Sequence, residues 1–439
     1  MDAQSSSRSD RLIVFGRYPV PGRTKTRLIP DLGPAGAAEL QKQLTEKIFR
    51  TAKAFASKQK LEMQVCYEGG SGKKIRRWLG TGAHFSMQKP GDLGARMEAA
   101  FHDAFQGGCR RVVLVGTDVP ESTVRHLEEA FDALKEKDLV LGPSADGGYW
   151  LVGLKGSAPI FRNMPWGTPE VFGKTLSVAR HQALSIHCLD PIGDVDTPED
   201  LEKRLPEWKR PYISVIIPAL DEAEVIESTM DHARSDDAEI IVVDGGSRDE
   251  TVVRARQSGA RILERPRGRA VQQNRGASVA EGRVLLFLHA DTRLPEDYVL
   301  QVFDTLMDPS IILGAFRFRT DLKSSPIRLI EILTNFRSQF LRLPYGDQAF
   351  FVRKPVFHAF GGFPEVPIAE DLLFVRKLSK HGRIRMAPGA AVTSARRWRS
   401  IGTLRTLMIN QVILVGLALR ISPHVLATLY RHPARGVKP

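Results

Sequence analysis

The chain has 439 residues, 42% hydrophobic and 26% charged. That is ordinary globular composition and too long for one typical core, so two domains or three are expected and wholesale disorder is not. Cys66, Cys109 and Cys188 lie far apart with no C-x-x-C spacing, which speaks against a disulfide framework or a zinc site and fits a reducing, cytoplasmic setting.

The formal net charge is +13, and its location is informative. After Asp371 the sequence holds thirteen Lys and Arg and no Asp or Glu, so the whole excess sits on the C-terminal tail. No nucleic-acid module or interleaved surface aromatics accompany it, so no nucleic acid is expected as a partner. An anionic diphosphate or an anionic membrane surface suits such a tail better. Residues 1–10 contain no apolar signal core and read as a disordered leader.

Residues 11–16 (RLIVFG) read as a first strand, followed by the loop Arg17–Leu28 with Gly22, Arg23, Lys25 and Arg27. A glycine-shaped loop carrying cations after a strand can hold a phosphate. The P-loop spacing is absent, and a solvated basic loop is the alternative. A helical pattern runs from Ala35 to Lys58, a strand spans Met63–Tyr67, and Gly91–Met97 opens a helix to Phe105. Arg111–Pro120 (RVVLVGTDVP) is an apolar strand followed by Asp118. Asp146, Gly147 and Gly148 form a turn between two strand-like segments. Asp194 and Asp196 occupy alternate positions, which share a face in a strand. The Thr-Pro-Glu that follows makes a helix cap the competing reading.

Taken in order, Phe15–Leu28, Gly116–Pro120, Asp146–Tyr149 and Asp194–Asp200 resemble the nucleotidyltransferase-like branch of the GT-A fold. They are more closely similar to a small transferase family found beside or fused to arsenosugar-biosynthesis glycosyltransferases. The resemblance covers nearly all of residues 11–204. It implies a nucleotide-sugar or NTP site with Gly22, Arg23, Lys25, Arg27 and the Asp146-Gly147-Gly148 turn on the nucleotide, and Asp118 with Asp196 on a metal.

Residues 206–211 read as a linker bounded by prolines, and a fresh strand begins at Tyr212. Glu239–Asp244 is a strand that runs into a Gly-Gly-Ser turn. A strand end beside glycines can receive a base and ribose; the same string also caps helices. A helix at Arg269–Ala280 carries Gln273 and Asn274 where they can face a ligand. Val284–Pro295 (VLLFLHADTRLP) is an uncharged run of the kind found in buried parallel strands. Ligands bind past the carboxyl ends of such strands, so Asp291 is expected at the mouth of a site, where a carboxylate holds a divalent cation against a diphosphate. Asp291 as a turn or helix cap is the bland alternative.

The ordered motifs Val215–Glu222, Val243–Ser247, Leu286–Asp291, Ile368–Asp371 and Arg396–Trp398 resemble a family 2 glycosyltransferase, especially the subgroup named for arsenosugar biosynthesis. The match spans residues 212–400. It implies nucleotide contacts at Pro218, Glu222, Asp244, Gly246, Ser247 and Gln273, a metal and diphosphate role at Asp291, and a base at Asp371. Arg397 and Trp398 match the end of a motif that closes over the diphosphate. Three departures stand out. His289 replaces the first carboxylate of Asp-x-Asp and can ligate a cation or act as a neutral hydrogen-bonding group. Gly245 replaces a second Asp, and Ser394 replaces the Gln of Gln-x-x-Arg-Trp, which speaks against a processive synthase.

These residues outline sugar transfer from a UDP- or GDP-linked donor to a hydroxyl acceptor, small molecule or lipid. Mg²⁺ or Mn²⁺ at Asp291 would neutralise the leaving diphosphate. Asp371 would take the acceptor proton, with Glu370 as its competitor. One base opposite the leaving group implies inversion. Pro326–Pro344 reads as an interfacial helix or a core helix. Thr406–Leu419 is uncharged but short of a membrane span, which leaves a buried helix or a peripheral contact with an anionic membrane. The expected fold class is α/β, with two tandem GT-A-like, Rossmann-like domains built on mostly parallel sheets at residues 11–205 and 212–400. A basic, apolar helical tail follows at residues 401–439. The N-terminal domain is expected to be a second transferase or a non-catalytic nucleotide-binding copy. A nucleotide-sugar-binding regulator at the membrane is the non-enzymatic alternative.

Overall fold

A computed structural model describes residues 9–264, 267–396, 399, 402–419 and 421–431. The chain divides into two compact units, Met1–Lys209 and Arg210–Pro439.

In the first unit the described strands are β1 (Arg11–Arg17), β2 (Glu62–Glu68), β3 (His84–Met87), β4 (Val112–Gly116), β5 (Leu139–Pro143), β6 (Tyr149–Leu154) and β7 (Ile186–Cys188). They form one sheet in the order β3-β2-β1-β4-β6-β5-β7. Only β6 runs antiparallel to its neighbours, β4 and β5. The helices are α1 (Ile29–Gln59), α2 (Gly72–Leu79), α3 (Leu93–Gln106), α4 (Val124–Glu136), α5 (Val171–His181) and α6 (Pro198–Arg204).

The near-continuous apolar strands follow from burial on both faces of the sheet. Leu12 and Val14 of β1 face Ile48 and Phe55 of α1 and Phe131 of α4. Ile13 and Phe15 face Met97 and Phe101 of α3, as alternation along a strand requires. Helix α1 starts before the expected Ala35 because a first turn joins it across Gly33, which is non-helical with φ 74°, and Pro34.

The second unit contains β8 (Ile213–Ala219), β9 (Ala238–Asp244), β10 (Arg261–Glu264), β11 (Val284–Phe287), β12 (Thr292–Arg293), β13 (Ile311–Thr320), β14 (Phe351–Arg353) and β15 (Arg383–Thr393). Their order is β10-β9-β8-β11-β14-β13-β15-β12. Strands β8 to β11 are mutually parallel where they pair, β14 is antiparallel to both neighbours, and β13 is parallel to β15. The helices are α7 (Ile226–Ala233), α8 (Thr251–Gln257), α9 (Arg269–Val279), α10 (Tyr298–Leu306), α11 (Ser325–Phe340), α12 (Lys354–Ala359) and α13 (Glu370–Ser379), followed by helices Thr403–Ala418 and Pro423–Arg431.

Five phenylalanines, Phe287, Phe350, Phe357, Phe363 and Phe374, pack ring against ring beneath the sheet, as close as 4.8 Å for Phe287 and Phe363. Phe374 lies one turn after Asp371, so this aromatic core fixes where α13 begins. Both units are α/β layers on mostly parallel sheets, the expected tandem GT-A-like arrangement.

Candidate active sites

In the second unit β8, β9 and β11 end side by side. Asp244, the last residue of β9, accepts N–H bonds from Gly246 at 2.8 Å and Ser247 at 3.0 Å and the Ser247 hydroxyl at 2.5 Å. It is 3% exposed, so its carboxylate shapes the Gly-Gly-Ser turn from inside rather than standing open to a ribose. Gly246 takes φ +98°, which favours glycine. The turn is tied to the loop after β8: the Asp221 N–H donates to Ser247 Oγ at 2.9 Å and the Arg248 N–H to Asp221 Oδ1 at 2.8 Å. Pro218 is paired with Val243 across β8 and β9. In α9, Gln272 rather than Gln273 reaches these strand ends, donating to Ala219 O at 3.0 Å and Val243 O at 2.7 Å. Gln273 is 1% exposed, and Asn274 is engaged with the Phe363 backbone in both directions.

Strand β11 ends at Phe287, so Asp291 stands four residues beyond it, in a turn, rather than on the strand end as the apolar run suggested. The turn is held by Thr229 Oγ1 on Ala290 O at 2.7 Å, the Thr292 N–H on His289 O at 3.1 Å and the Ser394 N–H on Asp291 O at 3.0 Å. The Arg396 guanidinium bridges Glu222, in a short ion pair, and Asp291 at 3.5 Å. Burial raises the Glu222 carboxyl above its ordinary range against the opposing pull of Arg396. Arg397 and Trp398 lie outside the described residues.

Asp371 opens α13 behind Ala369, which is forced to φ +62°. Its Oδ2 accepts the Gly346 N–H at 2.6 Å and its Oδ1 the Leu372 N–H at 2.7 Å. Gly346 is wedged between His289 and Asp371: a Cβ there would lie 2.8 Å from His289 Nε2 and 3.1 Å from Asp371 Oδ2. Desolvation and the Arg269 cation push the His289 imidazole down to about 3, so it is neutral near pH 7. Glu370 is 4% exposed and faces Arg269 at 3.9 Å. Burial and the neighbouring Asp371 push its carboxyl up, against the pull of Arg269.

Sequence reasoning missed Asp347 and Arg396 as site residues. Asp347, in the loop before β14, has a buried Oδ1 with no hydrogen-bond partner. Desolvation raises its carboxyl to about 6; Arg337 opposes that shift, while Asp371 and Asp291 add to it. Its signal was a lone acid in the apolar stretch Leu343–Val352; that of Arg396 was its place at the head of the Arg396–Trp398 motif.

Among the described residues no group of three or more His, Cys, Asp or Glu forms a metal cluster. Asp291, with 22% of its side chain exposed, still fits the mode in which one or two carboxylates hold Mg²⁺ or Mn²⁺ and substrate phosphates complete the shell.

In the first unit Lys25, at φ +51°, turns its ammonium inward. It contacts Asp118 Oδ1 at 3.1 Å and Asp196 Oδ1 at 3.2 Å, and donates to Val195 O at 2.6 Å. Burial, the largest influence, would lower this ammonium's pKa, but Asp118 and Asp196 outweigh it and raise it. The structure thus joins Asp118 to Asp196 around a lysine, while Arg23 and Arg27 stay exposed. Gly22 takes φ +77° at the turn.

Beside this cluster lies a cavity of about 320 Å³ lined by Phe15, Asp118, Asp146, Tyr149, Trp166 and Asp194, among others. The Gly148 N–H closes an Asp146 turn at 2.9 Å. Gly147, at φ +86°, packs so close that a Cβ would meet Pro169 O at 2.3 Å. Ser144 Oγ donates to Asp194 at 3.2 Å, and burial with Asp146 raises the Asp194 carboxyl.

Two family models match the chain. Residues 51–168 match a family described as an uncharacterized protein conserved in bacteria, DUF2064. Residues 214–363 match glycosyl transferase family 2. A PGL/p-HBAD biosynthesis glycosyltransferase of Mycobacterium tuberculosis is 40% identical over 96 residues, 20% of this chain and 38% of that protein. The chain therefore spans about 38% of the length of the curated relatives it matches. A solved chain from Desulfovibrio desulfuricans G20, provisionally named a nucleotide-diphospho-sugar transferase, is 32% identical over 44% of this chain and 85% of its own, with a TM-score of 0.42. The mannosyltransferase PcManGT of Pyrobaculum calidifontis, solved with GDP-Man and Mn²⁺, is 22% identical over 43% of this chain and 57% of its own, with a TM-score of 0.35. The C-terminal part of the chain is a family 2 glycosyltransferase segment, and the N-terminal part carries the uncharacterized family's segment.

Proposed function

We propose that the second unit is an inverting, cation-assisted glycosyltransferase that moves a sugar from a nucleotide diphosphate to a hydroxyl acceptor. The observation that carries this is the convergence, past the ends of β8, β9 and β11, of Glu222, Asp291, His289 and Asp371. Ligands bind at such strand ends, and the family 2 match covers the same residues up to 363. The arsenosugar-type motifs and the relative named as a glycosyltransferase support the same reading.

Asp291 would hold Mg²⁺ or Mn²⁺ together with the diphosphate. The cation would supply charge neutralisation of the leaving group. The Asp244 turn and the Asp221 loop shape the floor where the nucleotide lies. Asp371, more open than Glu370 and braced by two backbone N–H bonds, receives the acceptor proton as the acceptor oxygen bonds to the anomeric carbon. The bond to the diphosphate oxygen breaks, and its electron pair leaves with the nucleotide. Neutral His289 beside Asp371 supplies a hydrogen-bonding group without adding charge.

Asp371→Asn is expected to lower transfer or hydrolysis of UDP- or GDP-sugars by about 10²- to 10⁴-fold while nucleotide binding persists. Full activity in that variant would remove the assigned base, and no turnover of any donor by the native chain would favour a nucleotide-sugar-binding regulator.

For the first unit, the acid- and aromatic-lined cavity beside Lys25, Asp118 and Asp196 supports a nucleotide or nucleotide-sugar transferase. Capture of Lys25 by both carboxylates favours a second reading, a binding module without turnover. Asp118→Ala separates the two. A catalytic unit loses its turnover, measured by nucleotide release, whereas a binding module leaves every rate unchanged.

A further inference from the structure

Helix α11 carries an apolar stripe that nothing in its own unit covers. Leu329, Ile332, Leu333, Phe336, Phe340 and Leu341 are each more than half exposed, between 56% and 64%. Their spacing puts them along one side of the helix. The rings of Phe336 and Phe340 lie 4.5 Å apart. The inner face is a normal core contact through Ile327 and Ile330, with Glu331 turned inward onto the Thr320 N–H at 2.8 Å. The outer face therefore holds no acid. It is bordered by exposed Lys323, Arg328 and Arg342.

The helix Thr403–Ala418 repeats the pattern, with Met408, Val412 and Val415 each more than half exposed and Leu419 just beyond it. It packs through Leu417 onto a cluster that includes Leu343, Tyr345 and Leu372. Both stripes thus border the same loop, residues 341–348. Among the described residues no helix is long and apolar enough to cross a membrane.

We propose that these two stripes dock on an anionic lipid bilayer and that the acceptor hydroxyl belongs to a lipid in that surface. Several large side chains of this kind expose on the order of several hundred Å² of apolar surface, at or above the largest patch of a typical monomer. An apolar face with a cationic rim is the composition of a helix lying in a bilayer interface, and the run from Asp371 onward supplies cations with no acid to offset them. A second copy is a poorer occupant, because a self-complementary contact would set Arg328 and Arg342 against their own copies with no acid to pair them.

The surface leads directly to the site. Arg337 of α11 stacks on Tyr345 at 3.5 Å from the ring centre and donates to Leu343 O at 3.2 Å. The next residue, Gly346, donates to Asp371. A lipid hydroxyl at the membrane edge of this loop lies one residue from the proposed base. The identity of the acceptor rests on the glycosyltransferase reading; the docking does not.

The test uses the full chain with phosphatidylcholine vesicles, with and without about one third phosphatidylglycerol. Binding to the anionic vesicles is expected, weakened by 0.5 M NaCl and reduced about tenfold or more in Leu333→Glu/Phe336→Glu, both exposed positions. The Tm and UDP-sugar binding of that variant should stay native. A Phe336→Trp variant should show a blue-shifted emission on the same vesicles. Absence of vesicle binding, or a native dimer that the double substitution splits in light scattering, overturns the docking. Vesicle binding without binding of any nucleotide sugar leaves the docking intact and sinks the glycosyltransferase reading, and with it the lipid acceptor.

Discussion

Asp347 has the most unusual surroundings of any carboxylate in the second unit. One of its oxygens is buried with no hydrogen-bond partner, and Asp371 and Asp291 both act on it as like charges. A carboxyl whose folded pKa is about 6, against 3.8 ordinarily, binds its proton more tightly folded than unfolded. Its stabilising contribution is present below pH 4 and is lost as pH rises through 6. At pH 8 the ionised group should cost about 2 kcal/mol. Asp347→Asn should therefore flatten the fall in urea stability between pH 4.5 and 8, measured with EDTA present; an unchanged fall would reject this account. Such a residue was not legible in the sequence. Its chemistry is set by Asp291 and Asp371, which the fold brings near from distant positions. Arg396 was hidden for the same reason, since it meets Glu222 across 174 residues of chain.

The elements themselves were far more legible. Apolar runs at residues 11–16, 111–116, 213–219 and 239–244 became strands because burial on two faces leaves no room for charge. The positions of Asp118, Asp291 and Asp371 followed from where such runs or caps end. What the pattern could not convey is which way a loop side chain turns. The loop after β1 reads as a run of solvated cations, yet Lys25 is swallowed between two carboxylates while Arg23 and Arg27 stay outside. Lys25→Met is expected to destabilise the first unit by about 1–3 kcal/mol, since Asp118 and Asp196 then face each other without a cation but remain partly solvated. Calorimetry on the whole chain would check it, and Asp196→Asn placed on top should recover part of the loss.

At the scale of the molecule, the two units have separate cores, one around Leu12, Phe55 and Phe131 and one around Phe287, Phe350 and Phe374. Two melting transitions are expected rather than one. Lys25→Met should move only the transition of the first unit, and Asp347→Asn only that of the second. A single transition shifted by both variants would show that the cores melt together.

Each unit also keeps two acids around a cation of its own, Lys25 between Asp118 and Asp196, and Arg396 between Glu222 and Asp291. Such a resident counter-ion makes ligand entry an exchange rather than a simple addition. Whatever positive charge arrives must evict one already seated, so affinity measures the difference between two ionic contacts. In the second unit Arg396→Gln removes the occupant. Mn²⁺ binding followed by electron paramagnetic resonance should then tighten about fivefold, the equivalent of one partly exposed ion pair, while the Tm falls; weaker binding would mean that Arg396 recruits the ligand instead of holding its place. A protein wired in this way trades tightness of binding for a site that stays charge-balanced, and therefore folded, while it waits.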